Sequence, residues 1–170
     1  MSVTVQLTTV PDDSQLAGTL GSAYFHDAHL APLNDMSLSP VEIGMALLRA
    51  TPGWANELMR LRNAIVRRIG LKDVGDLKLT DAPPADQVKP GDAFGIFTVL
   101  TISDRECLVG IDDSHLDVRV SVTKACSAAT ATYTVSTVVH IHNWLGRLYM
   151  LPVARIHPLV VRAGMRRARL

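Results

Sequence analysis

Between Phe94 and His142 the chain consists of four strand-length segments joined by short turns, and from Arg147 onward nothing strand-like remains. Phe94 to Ile102, Glu106 to Asp112, Leu116 to Thr123 and Thr130 to His142 are rich in β-branched residues and, in places, alternate apolar with polar. That is the pattern of half-buried strands. Turns as short as Ser103-Asp104-Arg105 leave successive strands antiparallel, because a parallel return needs a crossover of a dozen residues or more. Arg147 to Arg169 predicts a long terminal helix, bent at Pro152 and Pro158, with Leu148, Leu151, Ile156, Leu159, Val160 and Ala163 on its buried side. Asn143 suits a cap for that helix, and Gly146 in the preceding turn is free to take a positive φ.

The first half reads differently. Ser2 to Thr9 predicts one strand, ended by Pro11-Asp12-Asp13, and Ser14 to His26 reads as a short helix or an irregular segment. Ser39-Pro40-Val41-Glu42 is a capping box with proline at the first helical position, so a helix runs from Pro40 to about Ala50. Thr51-Pro52 opens a second helix to about Ile69, where Trp54, Leu58, Leu61, Ile65 and Ile69 share a face and Gly70 is the stop. Leu71 to Gly91 reads as a long loop or flap.

Strands gathered together with helices set apart give an α+β fold, and 170 residues suit a single domain over residues 1–170. A chain of this length buries roughly two-thirds of its unfolded surface without needing staples. With 48% apolar residues and only 5% aromatic, its core must be aliphatic. A curved antiparallel sheet closing on a long C-terminal helix leaves a cavity, the usual kind of ligand site.

Several function classes drop out. A net charge of +1 does not make the whole chain a polyanion binder. The basic end, Arg162, Arg166, Arg167 and Arg169, is accounted for by the negative pole of the terminal helix, and no nucleic-acid motif accompanies it. Nucleic acid is therefore not an expected partner. The apolar run Leu148 to Val161 is interrupted by Arg155, His157 and two prolines, so no transmembrane segment is expected. Cys107 and Cys126 have neither metal-ligand spacing nor the density of a disulfide scaffold, which favours reduced thiols and a cytoplasmic location. The first residues read as a strand and not as a signal peptide. No P-loop, G-x-G-x-x-G after a strand, G-x-S-x-G or C-x-x-C occurs, so no cofactor is expected.

Two polar groupings stand out. On the third strand Leu116, Val118, Val120 and Val122 point one way, and Asp113, His115, Asp117, Arg119 and Ser121 the other. The plain reading is a solvated sheet face with an Asp117–Arg119 ion pair. The sharper one turns that face into the cavity, where Arg119 clamps an oxyanion and His115 with Asp117 moves a proton. On the fourth strand His140 and His142 share a face with Thr132, Thr134 and Ser136. Two histidines at i, i+2 need a third metal ligand, for which His115, Asp113 or Asp117 would be the candidates, so no metal is assigned; hydrogen-bonded core or edge histidines are the plain reading, and a proton-shuttling role for one of them is the sharper one. The candidate catalytic set is His115, Asp117, Arg119, His140 and His142. Tyr24, His26, Trp54, Phe94, Phe97, Trp144 and Tyr149 are the candidate ligand-binding residues. His157, between apolar neighbours, reads as a core histidine.

The run Ile111-Asp112-Asp113-Ser114-His115-Leu116-Asp117-Val118-Arg119-Val120-Ser121 resembles the D-x-x-H-L-D-F-R-V-S strand of a family of small bacterial proteins of unknown function. Val138 to Tyr149 resembles its second signature, H-x-H-N-x-x-G-R-x-Y, and Ile156-His157-Pro158-Leu159 its P-F-H-x-L segment, with isoleucine in place of phenylalanine. The resemblance spans about Ser22 to Arg167. That family looks related to the helix-grip superfamily of START domains and polyketide-cyclase-like proteins (SRPBCC). The resemblance implies a curved sheet gripping the last helix around an apolar cavity, and no particular reaction. Two expectations follow. One is a cytoplasmic binding module for a small hydrophobic or amphiphilic molecule, as a monomer or a homodimer. The other is a cofactor-independent cyclase, dehydratase or isomerase acting by acid/base catalysis in the same cavity.

Overall fold

The computed structural model describes residues 3–58, 60 and 83–170. Seven strands form one sheet: β1 (Gln6–Thr8), β2 (Phe25–Leu33), β3 (Ala93–Phe94), β4 (Phe97–Ile102), β5 (Glu106–Asp112), β6 (Leu116–Cys126) and β7 (Ala131–Ile141). Among the described residues two α-helices accompany it, α1 (Pro40–Arg49) and α2 (Trp144–Ala168), with further helical residues at 53–58 and 60. The strand order is β1-β2-β7-β6-β5-β4-β3, and every neighbouring pair is antiparallel. After β2 the chain leaves the sheet through α1, re-enters at the far edge as β3, and meanders back until β7 closes against β2. The α+β class is therefore confirmed, with the long C-terminal helix packed on the sheet.

Local signals explain the element ends. Ser39 Oγ accepts the Glu42 amide while the Glu42 carboxylate accepts the Ser39 amide, so the capping box forms as written. Asn143 caps α2 by accepting the Gly146 amide at 3.2 Å. The helix starts at Trp144 and runs through Pro152 and Pro158.

Five expectations need correcting. Leu148, Leu151 and Leu159, expected on the buried side of the terminal helix, are more than half exposed. Phe94 to Ile102 is two strands, folded back on each other at Gly95, whose φ is 64°. Gly146 lies inside α2 and not in a positive-φ turn. Phe25 and His26, read as the end of a short helix or an irregular segment, instead open a nine-residue strand, Phe25–Leu33, paired along its whole length with β7, from Phe25 opposite Val139 to Leu33 opposite Ala131. The Ser2 to Thr9 strand shrinks to three residues at the sheet edge. Leu61 to Ile69 of the second helix, and residues 71–82 of the long loop, lie outside the described residues.

Strand alternation sorts the side chains onto two faces. Toward the helices point Ala31 and Leu33 of β2, Val122 of β6, and Tyr133 and Val135 of β7, packed with Ile43 of α1 and Met165 of α2. A second group, Val41 and Met45 of α1 with Phe94, Val99, Cys107 and Val109, fills the space beneath α1. The opposite face is covered as well: Ala28, Leu108 and Val138 pack under Val10 and Leu16 of the segment joining β1 to β2. That segment is pinned by Glu106, whose carboxylate accepts the Ser14 hydroxyl at 2.6 Å, the Gln15 amide at 3.1 Å and the Ser121 hydroxyl.

Candidate functional site

The helix-facing side of the sheet does not meet α2 evenly. A recess of about 570 Å³ lies between them, within the usual range for small-molecule sites. Its floor is the inward row of the central strands: Cys107, Val109 and Ile111 of β5, Leu116, Val118, Val120 and Val122 of β6, and Val135, Thr137 and Val139 of β7. Its roof is α2, through Leu145, Leu148, Tyr149, Pro152, Val153 and Ile156. Gly44 and Leu47 of α1, with Ala55 and Leu58, close one side, and Phe94, Ile96 and Phe97 another. The spacing of two on strands and three to four on α2 puts these residues on facing surfaces.

Besides Thr51, polar groups enter the recess at two places. At one wall His157 Nε2 lies 3.0 Å from the Thr137 hydroxyl, and both residues line the space. Behind them Asp27 of β2 approaches the same imidazole nitrogen at 3.5 Å, and His29 approaches Asp27 at 3.9 Å. The Asp27 side chain is 8% exposed and His29 is fully buried. Among the described residues neither carboxylate oxygen of Asp27, neither ring nitrogen of His29 and not Nε of Arg162 has a hydrogen-bond partner. Burial lowers the His29 pKa; Asp27 pulls it up, and His157 and Arg162 push it down. Phe25 stands edge-on to His157, with ring centres 5.8 Å apart.

At the other place Asp113 lines the recess, and its carboxylate lies 3.4 Å from the buried His115 imidazole. That imidazole meets the Tyr149 ring edge-on at 5.7 Å. The Cys107 thiol, also in the lining, is pushed up to about 11, chiefly by burial and further by the neighbouring Glu106 carboxylate.

Within the proposed catalytic set Asp117, Arg119 and His140 share the outer face of the sheet, with His142 beside Asp117, and His115 stands apart from them. His115 is in the turn before β6, buried beneath the start of α2, and its carbonyl accepts the His142 amide. Asp117, Arg119 and His140 point away from the recess, on the face opposite Val118 and Val139, and none of them lines it. Arg119 pairs with Asp112 and not with Asp117. Asp117 instead lies 3.0 Å from His142, at the sheet surface. His140 Nε2 is 3.2 Å from the Thr19 carbonyl of the covering segment. Among the described residues no group of three or more His, Cys, Asp or Glu is placed to hold a metal ion.

Of the ligand-binding candidates, Phe94, Phe97 and Tyr149 line the recess. Tyr24, His26, Trp54 and Trp144 do not; Tyr24, Trp54 and Trp144 are largely exposed, and strand alternation turns His26 to the other face. Sequence reasoning did not join Asp27, His29, Thr137 and His157 into one group. Its only signal was Asp27 and His29 two apart, and that signal registers only once residues 25–33 are recognised as a strand.

Among the described residues no helix is long and apolar enough to cross a membrane. No curated protein and no solved structure matches the chain. A family model described as a protein of unknown function (DUF2867) matches residues 19–164, which takes in β2 to β7, α1 and most of α2. The chain belongs to that family.

Proposed function

We propose that this protein holds a small hydrophobic or amphiphilic molecule in the recess between the sheet and α2. The observation that carries this reading is the lining: about 570 Å³ walled almost throughout by aliphatic and aromatic side chains, with Thr51, the Cys107 thiol, Asp113, and Thr137 with His157 contributing polar groups. Apolar surface facing water carries a penalty of roughly 25 cal/mol per Å², which a matching ligand relieves. A few polar groups at the rim of such a space orient an amphiphile. The sheet-plus-terminal-helix arrangement suits the helix-grip superfamily, and with it a curved sheet gripping α2 around a ligand. Two free thiols, Cys107 and Cys126, suit a reducing cytoplasm.

Native mass spectrometry of the purified chain tests this directly, together with fluorescence titration of an apolar dye such as anilinonaphthalene sulfonate. The expected result is a co-purifying molecule or a dye site with micromolar Kd. Val118→Phe and Val120→Phe, which fill the floor of the recess, should weaken dye binding about tenfold or more while the protein stays folded. Absence of both a bound molecule and a dye site in the wild type overturns the reading.

A second reading rests on His157. An imidazole at the wall of an apolar space, backed by a buried carboxylate, is the arrangement of a general acid/base. The cyclase, dehydratase or isomerase alternative therefore moves from the Asp117–Arg119 face to the Asp27–His157 pair. Under it His157→Gln abolishes turnover and retains ligand binding.

A further inference from the structure

The outward face of α2 is apolar and basic at once. Trp144, Leu148, Leu151 and Leu159 are 73%, 55%, 53% and 51% exposed. Steps of four, three and eight residues keep them on one stripe of the helix, roughly 22 Å long at 1.5 Å per residue. Arg147, Arg155 and Arg166 are exposed on or beside the same stripe. No acidic residue occurs after Asp117, so α2 contains none. Among the described residues none of these three arginines has a salt-bridge partner; Arg155 donates only to the Leu151 carbonyl of its own helix.

Large apolar side chains in a row on a solvent-facing helix mark a contact surface. The charge decides which contact. A second copy of the chain would set arginine stripe against arginine stripe, and like charges brought together oppose association. A protein partner needs acidic groups at fixed positions to meet arginines scattered among leucines. An anionic bilayer offers negative charge everywhere along the stripe, apolar depth for the leucines, and the headgroup level at which tryptophan settles. We propose that this face of α2 docks on an anionic lipid surface, lying in its plane without crossing it.

The docking face adjoins the recess. Leu148 belongs to both, half out in solvent and lining the space beside Leu145 and Pro152. A docked α2 sets the edge of the recess against the bilayer, so an amphiphile passes between lipid and recess without crossing water. This exchange rests on the ligand-holding reading; the docking itself does not.

The test is co-sedimentation of the full chain with vesicles of phosphatidylcholine alone and with about a third phosphatidylglycerol, at low and at high salt. Binding to the anionic vesicles is expected to be at least about tenfold tighter and to weaken as salt rises. The double variants Arg147→Gln/Arg155→Gln and Trp144→Ala/Leu151→Ala should each weaken it about tenfold, with unchanged circular dichroism and unchanged dye binding, since none of the four residues lines the recess. Equal or absent binding to the two vesicle types overturns the proposal. So does wild-type binding by either variant, or a dimer in solution that Leu151→Ala dissociates. A protein that takes the dye and ignores vesicles sinks the docking alone; one that docks and takes no dye sinks the pocket alone.

Discussion

The carboxylate of Asp27 on β2 and Nε2 of His157 on α2 stand 3.5 Å apart across an interface made mostly of aliphatic and aromatic side chains. They join sheet and helix at the wall of the recess, and the buried His29 extends the contact one step along β2. Burial is the largest influence on His29 and holds its pKa below the ordinary 6.5, so the neutral ring is the native form. The unfolded chain takes up this proton near pH 6.5 and the native state does not. Below that pH the unfolded state therefore binds more protons, and stability falls with falling pH; above it His29 contributes no slope. Urea midpoints measured from pH 7 to pH 5 should drop, with His29 supplying up to about 1.4 kcal/mol per pH unit. His29→Leu should flatten that part of the slope. Identical slopes in the two proteins would show that the ring charges freely in the folded state.

The same residues show where the sequence was opaque. The strands from Phe97 onward announce themselves because most of their inward positions are valine, leucine or isoleucine. On β2 the inward positions are Phe25, Asp27, His29, Ala31 and Leu33, and two ionisable groups break the alternation that identifies a strand. Pro32 weakens it further; β1 pairs only with Ala28 to Leu30, so the proline lies beyond that ladder. A strand that departs from the local rule at its buried positions is where function is to be looked for. By contrast Ser39 and Asn143 were legible, since a cap is a short-range hydrogen bond fixed by neighbours in sequence. The Asp117–Arg119 face drew attention because alternation gives two faces and does not say which one the helix covers.

Glu106 is a buried carboxylate at 5% exposure, and it accepts from two hydroxyls and a backbone amide that tie the Pro11 to Ala23 segment to β5 and β6. Glu106→Ala strips two buried hydroxyls and a part-buried backbone amide of their acceptor at once. A loss of about 3 kcal/mol in urea unfolding is expected, with the segment loosened first. Glu106→Gln keeps an acceptor oxygen and should recover about half of that. Equal stability of wild type and Glu106→Ala would mean that the segment is held by Val10 and Leu16 alone.

Gly146 is required by contact, its conformation being ordinary helix. A Cβ there would lie within 3 Å of the His115 carbonyl oxygen, which is backbone, and of Ile141 Cγ2. That carbonyl also accepts the His142 amide, so it cannot withdraw without breaking the turn that launches α2. Gly146→Ala should cost about 2–3 kcal/mol, read as a fall in Tm, even though alanine is the better helix former. A rise in Tm would show that the start of α2 shifts freely against β6.

The two cysteines should separate cleanly under alkylation. Cys126 is exposed, whereas Cys107 is buried with its thiol pushed up to about 11 and stays protonated at pH 8. Iodoacetamide on the native chain should add one adduct, at Cys126, and a second only in denaturant, both read by intact mass. Rapid double labelling without denaturant would mean that the recess opens wide enough to bring Cys107 to solvent.

The outer sheet face gives the sharpest contrast between the two readings of function. Arg119 spends its guanidinium on Asp112 and on the Ile111 and Val118 carbonyls, and Asp117 faces His142, all on the side of the sheet away from the recess. Substitutions there reach a ligand in the recess only through the backbone. Arg119→Ala and His142→Ala should therefore leave dye affinity within about twofold of wild type and shift stability by less than about 1 kcal/mol, as partly exposed ion pairs do. Val120→Phe, one residue from Arg119 and on the other face, should weaken dye binding about tenfold. If Arg119→Ala abolishes binding and Val120→Phe spares it, the functional face of the sheet is the outer one, and the recess beneath α2 is only imperfect packing.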